Sequence, residues 1–136
     1  FLNLYLEIQK VRFKERLKVV INIDPASLNI EVPAIILQPL VENSIKHVLE
    51  KTKNVCEIKI SSSLNSNLLT LEVADNGPGI SEISDINKGG LGINNVKSRL
   101  SQIYNNDQSF KIKNLEDGGL LVSIEIPIQQ QRPLEW

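Results

Sequence analysis

The sequence predicts an α+β fold: a two-layer α/β sandwich in which about three helices cover one face of a mixed, mostly antiparallel sheet of about five strands. Strand-like runs come in pairs around turn-forming residues, which is the pattern of hairpins. Segments with apolar residues at helical spacing precede and separate these pairs. The order is helix, strand, helix, two strands, loop, helix, two strands. Strand and helix do not alternate throughout, which disfavours a doubly wound parallel fold.

The first two elements are a helix and a strand. Residues 2–15 predict a helix, because Leu4, Ile8 and Val11 share one helical face. This apolar face could pack on its own domain or continue into a stalk outside this chain. The run at 17–23 is rich in β-branched residues and predicts a strand.

A second helix is predicted to extend to about residue 50. Its apolar residues recur at helical spacing and are Leu37, Val41, Ile45 and Val48. Pro39 does not fit an ordinary helix interior, because proline lacks an N–H and its ring crowds the preceding turn. Either the helix kinks at Pro39 or its regular part begins there.

The second half of the chain predicts two hairpins with a loop and a helix between them. Both hairpins alternate apolar and polar residues around turn-forming residues. Their strands are residues 56–64 with 68–74, and residues 109–114 with 120–128. Residues 75–90 are predicted as a loop, and residues 91–104 as a helix.

Composition places the chain among globular proteins. It has 136 residues, of which 41% are hydrophobic and 23% charged, enough for one domain with a normal core. The net charge of -1 gives no reason to expect nucleic-acid binding. The single cysteine, Cys56, excludes an internal disulfide and indicates a buried thiol in an intracellular protein. No apolar run approaches the roughly 20 residues that cross a bilayer. The absence of Met indicates a fragment of a longer protein.

The second predicted helix carries polar residues opposite its apolar stripe, among them Asn43, Lys46 and His47. A carboxamide can offer its oxygen to Mg²⁺, and a lysine one turn away can reach a phosphate. These residues suit a nucleotide triphosphate site. The alternative is a solvated helix face on which Glu42 and Lys46 form an ordinary i, i+4 pair.

A polar turn, DNGPG, follows the strand predicted at 68–74. Asp75 at its start can accept hydrogen bonds from a base amino group and from a water. Gly77 and Gly79 have no side chains, so a flat ring could lie close to the backbone. The alternative is a glycine turn with a surface aspartate, although the next strand-like run is too far along the chain for a tight hairpin.

Three glycines, Gly89, Gly90 and Gly92, are expected to precede the third helix. Backbone N–H groups at a helix start form an anion site. The spacing is not that of a Walker A loop, and the segment does not follow a strand as a dinucleotide fingerprint should.

Together these stretches resemble the ATP-binding catalytic domain of bacterial sensor histidine kinases, in the superfamily that includes DNA gyrase and MutL. The nearest resemblance is to the LytS-type subfamily. LQPLVENSIKH looks like the N box, DNGPGI like the G1 box and GGLGINNVKSRL like the G2 box. The lead-in YLEIQKVRFKERL is also similar. Residues 1–16 would then lead in from an upstream dimerisation segment, residues 17–128 would form the ATP-binding domain, and residues 129–136 would be a polar tail.

The resemblance implies a role for each matching position. Asn43 would hold Mg²⁺, Asp75 would bind the adenine amino group, and residues 81–89 would form a mobile lid. The residues that would contact ATP and its cofactor Mg²⁺ are Asn43, Lys46, His47, Asp75, Gly77, Gly79, Ile80, Lys88, Gly90, Leu91 and Gly92.

Two positions depart from the family pattern. Lys88 stands where the G2 box often has its first glycine, so the lid hinge is stiffer or gains a phosphate contact. Pro39 stands where the ATPase branches carry the carboxylate that activates water, one turn before Asn43. This favours phosphoryl transfer to a protein side chain, with Glu42 assisting as general base or by orienting the reactants. His47 is expected near the phosphates rather than as phosphoacceptor, because a residue lining the pocket cannot readily accept in line.

The resemblance implies a protein-histidine kinase domain that phosphorylates a histidine on an upstream segment of a homodimeric parent, for relay to a response regulator. The domain would be the cytoplasmic part of a bacterial inner-membrane sensor, with no direct membrane contact of its own. Two alternatives stay open: a nucleotide-sensing domain of the same fold that has lost catalysis, and an anti-sigma serine kinase. The missing carboxylate disfavours an ATPase clamp.

Overall fold

The computed structural model of the chain describes residues 2–27, 34–49, 55–77, 91–116 and 118–128. Within them, five strands form one sheet in the order β1-β2-β3-β5-β4. The strands are β1 (Leu17–Ile23), β2 (Cys56–Asn65), β3 (Leu68–Asp75), β4 (Ser109–Asn114) and β5 (Leu120–Pro127). β1 pairs with β2 in parallel, whereas β2–β3, β3–β5 and β4–β5 are antiparallel. The predicted mixed sheet and both predicted hairpins are confirmed.

The helices in this part of the chain are α1 (Leu2–Phe13), α2 (Ala34–Leu49) and α3 (Leu91–Tyr104). α1 ends at Phe13 rather than at residue 15, because Lys14 adopts a left-handed φ of 51° and enters a short 3-10 turn. α2 begins at Ala34 and contains Pro39, so the regular helix does not begin at that proline.

The hydrophobic core lies between the helices and one face of the sheet. On β2, β3 and β5, alternate side chains are buried, as the period of two in a strand requires. Fully buried members include Ile58, Val73 and Ile124 from the sheet, Val41 from α2 and Leu100 from α3. The other face of the sheet carries mostly polar side chains and is hereafter the open face. The predicted two-layer sandwich, with helices on one face, is confirmed.

Side-chain hydrogen bonds tie the end of β1 to β2. The Asp24 carboxylate accepts from the Leu64 N–H at 3.0 Å and from the Ala26 N–H at 3.0 Å. The hydroxyls of Ser27 and Ser62 lie 2.7 Å apart. The two backbone donors, that of Leu64 foremost, hold the pKa of Asp24 below its usual range.

α1 packs against α2 and β1, and Leu6 is its buried anchor, only 2% exposed. The predicted apolar face lies elsewhere: Leu4, Ile8 and Val11 are 62%, 56% and 76% exposed. Of the two alternatives for this face, packing on its own domain is therefore wrong.

Among the described residues, no helix has both the length and the apolar character needed to span a bilayer. The predicted division at residue 16 stays a prediction, although Leu6 and Leu17 belong to the same core cluster. The predicted tail at 129–136 lies outside the described residues.

Candidate functional site

Asp75 ends β3 and is only 5% exposed, which is unusual for a carboxylate. Its Oδ1 atom accepts hydrogen bonds from the Gly77 N–H at 2.9 Å and the Leu120 N–H at 3.3 Å. Its Oδ2 atom is buried and has no hydrogen-bond partner in the described part of the chain. A buried oxygen without a partner is costly, so this atom is suited to a donor from a ligand.

Gly77 is buried between Asp75 and α2. A Cβ at this position would lie 2.7 Å from Cγ2 of Val48 and 3.1 Å from Oδ1 of Asp75. The residue does not have a positive φ. Glycine is therefore required here by close packing on α2, and its lack of a side chain also brings the second half of α2 next to the Asp75 carboxylate.

Gly119 forms the other wall of the Asp75 site. The sequence analysis did not identify this glycine as a site residue. Its φ is +109°, and a Cβ there would lie 1.9 Å from the backbone oxygen of Asp75. The sequence predicts only a turn between the strands at 109–114 and 120–128, and Gly118 and Gly119 lie in that turn. The signal available was the double glycine directly before the strand that pairs with β3.

Asn76 fixes the chain where it leaves β3. Its Oδ1 accepts from the Glu57 N–H at 2.8 Å, and its Nδ2 donates to the Val55 carbonyl at 2.9 Å. The side chain thereby imitates a further rung of the β2–β3 ladder. This clamp lies between the two residues of the turn that carry the site, Asp75 and Gly77.

α2 carries the residues of the predicted N box. Asn43 is half-buried on the same helix. Glu42 accepts a hydrogen bond from Nε2 of Gln38 at 3.2 Å. Glu42 and Lys46 line a cleft of about 120 Å³ that faces α1. The structure thus places these two on the α1 side of the helix, whereas Val48 reaches Gly77. The predicted roles of Asn43, Glu42 and Lys46 stay predictions, and the side chain of His47 lies outside what is described.

The predicted G2 box is described only from its helical part. Leu91 and Gly92 open α3, so Gly92 lies inside the first turn rather than before the helix. The first N–H groups of a helix have no intrahelical partner, so they remain available to an anion. Gly79, Ile80, Lys88, Gly89 and Gly90 lie outside the described residues, as does the predicted lid at 81–89.

The described residues suit Mg²⁺ only as a site with few protein ligands. Within the described residues no group of three or more His, Cys, Asp or Glu side chains is arranged to hold a metal ion. Mg²⁺ commonly takes one or two protein ligands together with substrate phosphates and waters. The carboxamide oxygen of Asn43 is of the chemical type suited to be such a ligand.

A larger groove, of about 690 Å³, is lined by Asp75 and Asn76. It is also lined by Lys59 and Lys113, which lie on the open face. Since the carboxylate of Asp75 is turned into the covered side of the sheet, this groove is not the place where its free oxygen would meet a ligand.

Comparisons with known proteins find relatives that match over most of the chain. The family model described as histidine kinase-, DNA gyrase B-, and HSP90-like ATPase matches residues 29–130. The chain is 31% identical to Sensor protein LytS of Enterococcus faecalis, over 93% of this chain and 23% of that protein. It is 33% identical to Sensor histidine kinase YesM of Bacillus subtilis, over 93% of this chain and 22% of that protein. The chain thus spans about a quarter of the length of these relatives.

Solved structures share the fold. The histidine kinase domain of the blue-light activated histidine kinase from Erythrobacter litoralis EL346 has a TM-score of 0.70 and 24% identity, covering 93% of this chain and 58% of that one. The catalytic domain of histidine kinase ThkA has a TM-score of 0.65 and 23% identity, covering 93% of this chain and 92% of that one. At these identities the likeness shows the fold alone.

Proposed function

The chain belongs to the histidine kinase-, DNA gyrase B- and HSP90-like ATPase family, and from that premise we propose that it binds Mg·ATP as the catalytic domain of a LytS-type sensor histidine kinase. The parent protein transfers the γ-phosphoryl group to a histidine on a segment upstream of this chain, for relay to a response regulator. The parent is a homodimeric sensor of the bacterial inner membrane, and this domain is its cytoplasmic part.

One observation carries the proposal: the buried, unpartnered Oδ2 of Asp75. Oδ1 already accepts hydrogen bonds from two backbone N–H groups. A ligand that donates one hydrogen bond to Oδ2 would therefore suit this carboxylate. The exocyclic amino group of adenine is such a donor, and guanine carries a carbonyl oxygen at the same ring position. ATP is therefore favoured over GTP.

Phosphoryl transfer needs little covalent participation by the protein. The acceptor imidazole nitrogen forms a bond to the γ-phosphorus, the bond from that phosphorus to the bridging oxygen breaks, and ADP leaves. Asn43 would hold Mg²⁺, which would supply positive charge to neutralise the phosphates. Lys46 and the first N–H groups of α3 stabilise the same charge. Glu42 takes the imidazole proton or orients the acceptor. Pro39, one turn before Asn43, leaves no carboxylate there to activate water.

Calorimetry with ATP, with and without Mg²⁺, tests the site through Asp75→Asn. The asparagine oxygen can keep both bonds that Oδ1 makes, while the free oxygen becomes an NH₂ group that faces the adenine donor. We expect ATP binding to weaken by about 1–3 kcal/mol. Inosine triphosphate offers an oxygen in place of the amino group. The Asp75→Asn change should therefore lower the affinity for inosine triphosphate much less than the affinity for ATP.

Glu72→Gln is the matched control, since it removes a carboxylate from the same strand on the open face. Its ATP affinity should equal that of the unchanged chain. Undiminished ATP binding in Asp75→Asn, or an equal loss in Glu72→Gln, would contradict the assigned pocket.

A second candidate is a nucleotide-sensing domain of the same fold without catalysis, which Pro39 inside α2 and the sequence departure at Lys88 favour. Joining the chain to a histidine-bearing dimerisation segment and following ³²P from ATP separates the two. Labelled histidine supports the kinase. ATP binding without label supports the sensing domain.

A further inference from the structure

We propose that Asn76 is a positioning residue of the nucleotide site, because its side chain sets where the Asp75 carboxylate meets the adenine amino group. Asn76 acts through Asp75 and does not itself contact the nucleotide. This role rests on the proposed function, since it concerns the same pocket.

The side chain of Asn76 takes the place of one rung of the sheet. The β2–β3 ladder ends where Ile58 stands opposite Asp75, so the next pair would be Glu57 with Asn76. There the Glu57 N–H donates to Oδ1 of Asn76 at 2.8 Å, and Nδ2 donates to the Val55 carbonyl at 2.9 Å. Asn76 therefore pairs with β2 through its side chain in place of its main chain.

This exchange lets the main chain leave the sheet while β2 keeps its hydrogen bonds. Gly77, the next residue, donates its N–H to Oδ1 of Asp75 at 2.9 Å. A main chain that continued the ladder would instead carry residue 77 along β2 and away from that oxygen. The direction of the turn, and with it one of the two bonds to Oδ1, thus depends on Asn76.

Two further contacts hold the turn from other sides. Gly77 packs on α2, where a Cβ would lie 2.7 Å from Cγ2 of Val48. Gly119 packs on the turn from β5, where a Cβ would lie 3.1 Å from the Cα of Asn76. These contacts restrict the turn towards α2 and β5, and Asn76 supplies the anchor to β2.

The position of Oδ2 follows from that of Oδ1, because both atoms belong to one rigid carboxylate. Oδ2 is buried and has no partner in the described part of the chain, so no bond of its own keeps it in place. A carboxylate turned away from the Gly77 N–H would present Oδ2 at a different angle, and hydrogen bonds weaken steeply with misalignment. The loss would fall on the contact to the adenine amino group rather than on contacts to the ribose or the phosphates.

The preference for ATP over inosine triphosphate measures this one contact, since the two nucleotides share the ribose and the triphosphate. Asn76→Leu keeps the size of the side chain and removes both of its bonds. Calorimetry should show the preference for ATP lowered about fivefold or more in this variant. A chain that is merely destabilised has less folded protein, which lowers the affinity for both nucleotides by the same factor and leaves their ratio unchanged.

Asn65→Leu is the matched control, because Asn65 is exposed at the opposite end of β2, and its preference should equal that of the unchanged chain. Asn76→Asp keeps an acceptor for the Glu57 N–H but has no donor for the Val55 carbonyl, so its preference should lie between those of Asn76→Leu and the unchanged chain. An unaltered preference in Asn76→Leu, or an equal loss in Asn65→Leu, would overturn the proposal. Should Asn76→Leu not fold, an unaltered preference in Asn76→Asp would have the same meaning.

Amide hydrogen exchange of the nucleotide-free chain tests the geometry itself. Relative to the Val73 N–H in β3, the Gly77 N–H should exchange faster in Asn76→Leu than in the unchanged chain, because its bond to Oδ1 is weakened. Equal relative rates would show that Asn76 does not position the turn. An unchanged chain that does not prefer ATP would instead contradict the proposed function, so the two failures are distinguishable.

Discussion

Gly119 sets how closely β5 can approach Asp75. The distance of 1.9 Å from its hypothetical Cβ to the Asp75 carbonyl leaves no room for any side chain. The adjacent Leu120 N–H reaches Oδ1 of the same aspartate. The glycine and the carboxylate of the candidate site are thus parts of one local arrangement, although they are far apart in the sequence.

Gly119→Ala should therefore be more damaging than Gly118→Ala. Both glycines have positive φ, so each alanine carries about 1–2 kcal/mol of backbone strain. Only Gly119 also meets backbone, whereas Gly118 has open space. Overpacking adds about 1–3 kcal/mol. Urea unfolding of the two variants measures the difference, and equal losses would contradict the contact with Asp75.

Asn76 should contribute to stability through both of its bonds. Asn76→Ala removes the contacts to Glu57 and Val55, and we expect the free energy of unfolding to fall by about 1–2 kcal/mol. Asn65→Ala, at the exposed far end of β2, is the matched control and should change it by less than about 0.5 kcal/mol. A harmless Asn76→Ala would mean that the turn at Asp75 holds its shape without this clamp.

At the scale of elements, Asp24 connects β1 to β2, the parallel pair of the sheet. Parallel strands cannot be joined by a tight turn, so their ends need other contacts. The carboxylate supplies one of them by accepting from the Leu64 N–H of β2, and its bond from the Ala26 N–H fixes the turn that follows β1.

The lowered pKa of Asp24 predicts a dependence of stability on acid pH. The folded-state pKa lies below the ordinary value of 3.8. The stabilisation is therefore complete above that value and is lost as the pH falls through the folded pKa. Unfolding of Asp24→Asn should be less sensitive to pH below about 4, whereas Asp107→Asn, on an exposed turn, should behave as the unchanged chain. Identical acid profiles for all three would contradict the assignment.

α1 shows why an apolar pattern does not by itself tell which face of a helix packs on the core. Its outward residues were recognised from their spacing, but Leu6, on the opposite side, is the residue that packs on the core. Helical spacing groups residues that share a face. Which face meets the core depends on α2 and β1, which lie elsewhere in the sequence.

For the molecule as a whole, the pKa of the Cys56 thiol shows how strongly the core disfavours a charge. Burial first, and then the Asp75 charge, raise the pKa of its thiol to about 12, against an ordinary value of 9.0. The thiol is stable when neutral, so the folded state binds its proton more tightly than the unfolded chain. Its contribution to stability is full below pH 9.0 and is lost as the pH rises towards 12.

We therefore expect the free energy of unfolding to fall above pH 9.0 by roughly 1 kcal/mol per pH unit more in the unchanged chain than in Cys56→Ala. Tyr104, whose pKa burial also raises, titrates in both proteins and cancels in the comparison. Parallel alkaline profiles would show that the thiol ionises without opening the core.

The fold could be predicted because hairpins and helices are local patterns. The alternation around Asn67 predicted β2 and β3, and the tertiary structure confirms the pairing. The walls of the candidate site could not be predicted in the same way. Gly77 meets Val48, and Gly119 meets Asp75, across long stretches of chain. Such contacts depend on the strand order, which no local spacing contains.

The strand order leaves β1 and β4 at the two margins of the sheet. β4 exposes Lys111 and Lys113, charges that discourage a foreign strand from adding there. β1 instead exposes Val20, Ile21 and Ile23 by 48%, 44% and 44%. Aggregation of concentrated or partly refolded protein should accordingly begin by strand addition at β1, and a lysine introduced at its centre would be the first solubilising change to make.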